Sequence, residues 1–127
     1  MREIYIDLSP VPKPRMTQSD KWKKRGATTR YWNYKDALIW LCKMNDYQIG
    51  EAISIDFIVE MPKSWSKKKR QEFNGKPHQS KPDLDNFIKA FKDALCKEDS
   101  HIYYYGRMRK MWGEKGAIII YENGAHI

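Results

Sequence analysis

Apolar residues alternate with polar ones at Ile4, Ile6 and Leu8, across Tyr5 and Asp7, which predicts a first strand of about five residues. Tyr34, Leu38, Leu41 and Met44 recur at helical spacing, so a helix is expected from Tyr31 to about Tyr47. The clearest strand follows: Ile53, Ile55, Phe57, Val59 and Met61 alternate with Ser54, Asp56 and Glu60, and Ile58 is the one apolar residue on the second face. Pro62 ends it, and Ser64 or Ser66 is placed to cap a short basic helix that stops near Asn74-Gly75. Leu84, Ile88, Phe91 and Leu95 form the seam of an amphipathic helix starting near Asp83. Ile102–Arg109 and Ala117–Tyr121 read as final strands joined by a turn at Gly113–Gly116, with at least one of Tyr103, Tyr104 and Tyr105 in the core. The order β–α–β–α–α–β–β predicts an α+β (mixed α/β) fold, a small mixed sheet packed with central helices.

The 127 residues give room for one domain, 1–127, with a basic, Pro-containing arm at about 9–30 that holds Pro10, Pro12, Pro14 and Gly26. Hydrophobic residues make up 41%, enough for one modest core. The longest apolar run, Ala37–Cys42, is far below the roughly 18 residues of a membrane helix, and MREIYIDLSP lacks the apolar stretch of a signal peptide. Cys42 and Cys96 form no C-x-x-C pair, so neither a disulfide framework nor a zinc knuckle is expected. These features predict a reduced, cytoplasmic protein without a membrane partner.

A net charge of +8 favours a polyanionic partner, and its distribution sharpens the choice. Lys13–Lys35 carries eight basic residues and one acid, and Lys63–Lys81 carries seven and one. Between Pro82 and Asp99, three bases face Asp83, Asp85, Asp93, Glu98 and Asp99. Acids among phosphate-binding segments suit a nuclease better than a nucleic-acid coat, because carboxylates repel phosphate unless a metal lies between them.

The chemistry concentrates in Lys81-Pro-Asp-Leu-Asp-Asn-Phe-Ile-Lys89. Pro82 favours Asp83 at the helix entrance, which puts Asp83 and Asp85 in a first turn where free N–H groups and the helix dipole favour ionised carboxylates. Two such groups form half of a Mg²⁺ site, completed by water and substrate phosphate. Lys89, four residues after Asp85, lies on the same face and is placed to offset charge on a phosphate under attack. Asp-x-Asp alone is a weak signal, since an N-cap and a surface ion pair of about 0.3–0.5 kcal/mol explain it equally well. His78, His101 and His126 share no ligand spacing and read as loop or surface residues, with His101 the exception to watch because it closely follows the acidic pair, and no phosphate-binding loop of the G-x-x-x-x-G-K-[ST] type implies a nucleotide cofactor. Trp22 and Trp65, beside Lys21–Arg25 and Lys67–Arg70, fit base stacking or plain core anchoring.

The whole segment Lys81-Pro-Asp-Leu-Asp-Asn-Phe-Ile-Lys-Ala-Phe-Lys-Asp-Ala-Leu95, with Glu98-Asp-Ser-His-Ile102, resembles the RusA family of Holliday junction resolvases, common in phages and prophages. Pro10-Val-Pro-Lys-Pro-Arg15, Met61-Pro-Lys-Ser-Trp-Ser-Lys-Lys-Lys-Arg70 and Lys110-Met-Trp-Gly-Glu-Lys-Gly116 match in family order, over about residues 4 to 122. The resemblance implies an intertwined homodimer that resolves four-way branched DNA by paired symmetric nicks, with Mg²⁺ as cofactor and Mn²⁺ as a substitute. It assigns catalysis to Asp83, Asp85, Lys89 and Asp99, the three acids also binding metal, and gives Asn86 a supporting role. DNA contacts are expected from Lys13, Arg15, Lys23, Lys24, Arg25, Lys63, Lys67, Lys68, Lys69, Arg70 and Lys81.

One departure concerns Asp99, which follows its helix by fewer residues than in the better-known bacterial form. A helix from Asp85 to Leu95 spans about 15 Å, and Cys96–Asp99 reaches back at most about 13–14 Å. The expectation is closure within one chain after early helix termination, with a dimer partner as the alternative source of the acid. A non-catalytic phage DNA-binding or regulatory module on the same fold is the competing reading, and an RNA-binding or ribosome-associated protein is a third.

Overall fold

The computed structural model describes residues 2–14 and 26–122. Seven elements follow one another as predicted: β1 (Arg2–Ile6), α1 (Gly26–Met44), β2 (Ala52–Glu60), α2 (Lys67–Phe73), α3 (Leu84–Leu95), β3 (Tyr104–Gly113) and β4 (Ala117–Glu122). The strands form one mixed sheet in the order β1-β4-β2-β3. β4 runs antiparallel to both β1 and β2, whereas β3 is parallel to β2. Helices α1 and α3 cover one face, where Tyr31, Tyr34, Leu38 and Cys42 meet Phe87, Ile88, Ala90 and Phe91 over Ile4, Ile6, Ile53, Ile55, Phe57, Ile118 and Ile120. Phe57 joins the layers, its ring 5.5 Å from Phe87 and 6.4 Å from Phe91.

Differences from the sequence expectations have local causes. In α1 the buried stripe is Tyr31-Tyr34-Leu38-Cys42, and Met44 points to solvent. The helix also begins earlier than predicted, at Gly26, because its first turn carries no apolar periodicity to betray it. None of Tyr103, Tyr104 and Tyr105 is core: all three are exposed, since β3 is the sheet edge and Tyr105 turns its hydroxyl to Lys92, 2.7 Å away. His78 is buried, not a surface residue, with its ring 4.2 Å from that of Trp112.

The segment Gly113–Gly116 does not join neighbouring strands. It carries the chain over the end of β2, because β3 and β4 flank β2 on opposite sides. Two strand spacings are about 9.6 Å, within the reach of so few residues only if the backbone passes close. A Cβ on Gly113 would lie 2.4 Å from Ile58 Cγ2, and one on Gly116 would lie 2.7 Å from Ser9 Cα. These glycines are what the tight crossing requires.

Candidate active site

After α2, Gly75 turns the chain with a positive φ of 81° and donates its N–H to the Trp112 carbonyl. The returning segment runs beside the outer edge of β3: Trp112 N–H donates to Lys76 O, and His78 N–H to Lys110 O. This covers part of an edge strand that would otherwise present unpaired backbone groups. Lys110 then uses its side chain on the same segment. Its ammonium donates to the Ser80 carbonyl and, at 2.8 Å, to the Pro82 carbonyl, on either side of the cis Lys81–Pro82 bond. The chain is thus tethered immediately before Asp83.

Asp83 occupies the N-cap position of α3 with extended backbone angles, yet its carboxylate makes no capping bond. The Asn86 N–H binds the Asp83 carbonyl instead. Asp85 lies within the first turn of the helix with its side chain 70% exposed, and Lys89 Nζ reaches it at 3.0 Å. Two accessible carboxylates therefore sit at the positive end of a 12-residue helix. Their oxygen donors fit Mg²⁺, which prefers one or two carboxylates and keeps places for water and phosphate.

The third predicted acid, Asp99, has a lysine of α3 as its partner. Helix α3 continues to Leu95, so the early termination expected from the sequence does not occur. Asp99 pairs with the Lys92 ammonium at 3.1 Å, and the Lys92 backbone lies seven residues beyond Asp85, about 10 Å along the helix axis. Among the described residues no group of three or more His, Cys, Asp or Glu side chains gathers as a metal cage. The Tyr105 hydroxyl and Asp99 together hold the Lys92 ammonium and raise its pKa above the usual lysine value, outweighing burial, which lowers it.

The predicted cations divide by their partners. Lys63, Lys67, Lys68, Lys69 and Lys81 are exposed. Arg70 is engaged: it donates to the Pro62 carbonyl at 2.9 Å and pairs with Glu114 at 2.9 Å, fastening α2 to the body. Lys13 also has partners, its N–H on the Asn86 carbonyl and its ammonium 2.7 Å from Asp93. Asp93 further accepts from Tyr31 Oη at 2.9 Å. Burial would raise the Asp93 pKa, but Lys13 and Tyr31 outweigh it and leave it below the usual carboxylate value. Lys13 thereby straps the N-terminal segment across α3. Arg15, Lys23, Lys24, Arg25, Trp22 and His126 lie outside the described residues.

Sequence reasoning missed a second ionic centre. Asp56 on β2 is 2% exposed and accepts from Arg109 through both oxygens and from Tyr121 Oη at 2.6 Å. Arg107 approaches the same carboxylate at 4.0 Å. The spacing of Arg107 and Arg109, two apart on one strand, was the available signal. Lys110 gave no signal beyond its place in a family block.

A protein-family model described as endodeoxyribonuclease RusA matches residues 7–121, nearly the whole chain. The chain belongs to the RusA family. No curated protein matches the sequence. RusA proteins are endodeoxyribonucleases, and membership implies Holliday junction resolvase activity in general and action on branched DNA junctions. The matched span takes in the Asp83–Lys89 segment, Lys110 and every strand but the outermost β1. Among the described residues, no helix of this RusA protein is long and apolar enough to cross a membrane.

Proposed function

We propose that the chain is a Mg²⁺-dependent, structure-selective endonuclease that resolves four-way DNA junctions by paired symmetric nicks. The observation that carries this reading is the pair of accessible carboxylates, Asp83 and Asp85, at the mouth of α3. Asp83 and Asp85 would hold the ion, which when bound polarises the scissile phosphate and lowers the pKa of an attacking water. Lys89 restrains Asp85 in the free protein and is placed to offset charge that develops on the phosphate. Lys63, Lys67, Lys68, Lys69 and Lys81 would grip the DNA backbone, giving an affinity that falls steeply with salt. With Asp99 on Lys92, its contribution as a third acid is assigned to a second copy in a homodimer, whose symmetry would also place one cut in each of two opposed strands. The test is a labelled junction incubated with protein and either Mg²⁺ or chelator. Symmetric nicks with metal alone are expected; metal-indifferent binding without scission would instead support the non-catalytic module.

Lys110 serves this reaction by positioning. Its two bonds fix Ser80 and Pro82, so their loss should loosen Asp83 and raise the Mg²⁺ concentration needed for half-maximal cleavage. Lys110→Met is expected to lower kcat about 10- to 100-fold with little change in junction affinity, in the range seen when groups supporting a metal ligand are removed. Lys110→Arg, which can still donate to two carbonyls, should recover part of the rate. Equal losses in both variants, with an unchanged Mg²⁺ requirement, would assign Lys110 to stability alone.

A further inference from the structure

The aromatic residues around α2 are not used by the chemistry above. Trp65 lies 4.8 Å from Trp112 and 5.3 Å from Phe73, between ring centroids. All three rings remain partly exposed, and α2 buries no residue of its own. A cavity of about 220 Å³ opens beside them, completed by Lys69, Pro77, Gln79 and Ser80. Simple packing of a short helix accounts poorly for this arrangement. Arg70 already anchors α2 through the Pro62 carbonyl and Glu114, and a packing cluster would close its rings from water.

The lining has the chemistry of a nucleobase site. Aromatic faces offer stacking, while the Gln79 amide and Ser80 hydroxyl can meet the donors and acceptors of a base edge. The volume is below the roughly 300–1,000 Å³ of pockets for whole ligands, so it suits a single ring system. Within a duplex both faces of a base are already stacked, so only an unpaired base can enter. Lys69 Nζ stands 4.3 Å from the Trp65 centroid in the free protein. Base stacking on an aromatic ring is stronger than an exposed cation–π contact, so an arriving base takes the ring face and frees Lys69 for a phosphate.

We propose that this pocket captures one unpaired nucleobase at the branch of the DNA and thereby sets which phosphodiester reaches Asp83 and Asp85. The inference rests on the nuclease assignment and deepens it. Ser80, on the pocket rim, is three residues before Asp83, a separation of at most about 10–11 Å. That limit corresponds to at most about three rises of 3.4 Å along a DNA strand. Lys110 bonds the Ser80 and Pro82 carbonyls within this connection and so ties the pocket rim to the residue that precedes Asp83.

A double-mutant cycle across the interface tests the proposal. Four-way junctions carry abasic sites placed in turn at each nucleotide flanking the branch. They are bound in chelator by wild type, Trp65→Leu and Gln79→Ala, with thermal melts to confirm folding. At one position, wild type should lose about 10-fold in affinity when the base is removed. Trp65→Leu should bind the intact junction about 10-fold more weakly and show no further loss on the abasic one, with Gln79→Ala intermediate. With Mg²⁺, Gln79→Ala should scatter the cut over neighbouring phosphates. Additive losses at every position, from variants that melt as cooperatively as wild type, would overturn the pocket and leave the nuclease assignment intact. Failure of wild type to bind any junction would overturn both.

Discussion

Asp85→Asn is expected to abolish junction cleavage, with a loss of at least about 10³-fold, or about 4 kcal/mol in the barrier. Asparagine keeps the size of the side chain but replaces one carboxylate oxygen by an amide nitrogen that repels a cation. The Asp85 side chain is mostly exposed and its partner, Lys89, is a surface lysine, so little folding energy depends on the pair. The variant should therefore fold normally, with a thermal midpoint close to that of wild type. Junction binding should persist or tighten, because one negative charge beside the phosphates has gone. Gel-shift titration and single-turnover cleavage on the same labelled junction separate the two effects. Equal loss of binding and cleavage would remove Asp85 from the chemistry, and unchanged cleavage would remove the whole carboxylate site.

The second large effect falls on stability. Asp56→Ala should destabilise the fold by about 2–3 kcal/mol, read as a lower urea midpoint at constant slope. The change strips Tyr121 and Arg109 of their shared acceptor in a nearly closed site. Removing one partner of a fully buried pair costs about 3–5 kcal/mol, but the Arg109 side chain is 42% exposed and water recovers part of that loss.

The same carboxylate shapes the pH dependence. Burial alone would raise its pKa, but bonds from Arg109 and Tyr121 outweigh this and hold it below the ordinary 3.8. The unfolded chain then takes up its proton first, so the stabilisation is complete above 3.8 and lost as pH falls through the folded value. Asp93 acts in the same sense. His78 is depressed by burial and by Lys110, so its contribution starts to fall below its ordinary 6.5. Stability should thus decline in two stages on acidification, and Asp56→Ala should flatten the lower one. A single-stage curve identical in the variant would contradict this account.

How much of this was legible depends on distance along the chain. The strand β2 showed itself because a central strand alternates apolar and polar side chains, and α3 because one stripe faces the sheet. The edge strand β3 was legible only in part, as Ile102–Arg109, and its expected core tyrosine was wrong, since nothing buries Tyr103–Tyr105 at the sheet edge. Its extension to Gly113 follows from pairing with β2, which no residue in β3 announces. Asp83 and Asp85 could be placed together from sequence because two residues at a helix start are neighbours in any fold.

The sequence by itself determined the order of the seven elements, the basic character of the chain and the pair of acids opening α3, all of which follow from near-neighbour periodicity and local backbone preference. Only the tertiary structure decided that Lys110 grips the turn before Asp83, that Asp99 turns to Lys92, that Lys13 straps α3 through Asp93, and that Asp56 is buried under Arg109 and Tyr121. Apart from the short Lys92–Asp99 link, these partners lie 28 to 80 residues apart, and even that link depends on how the chain leaves α3. Their meeting is set by sheet order and helix packing, which a periodic pattern in one chain does not encode.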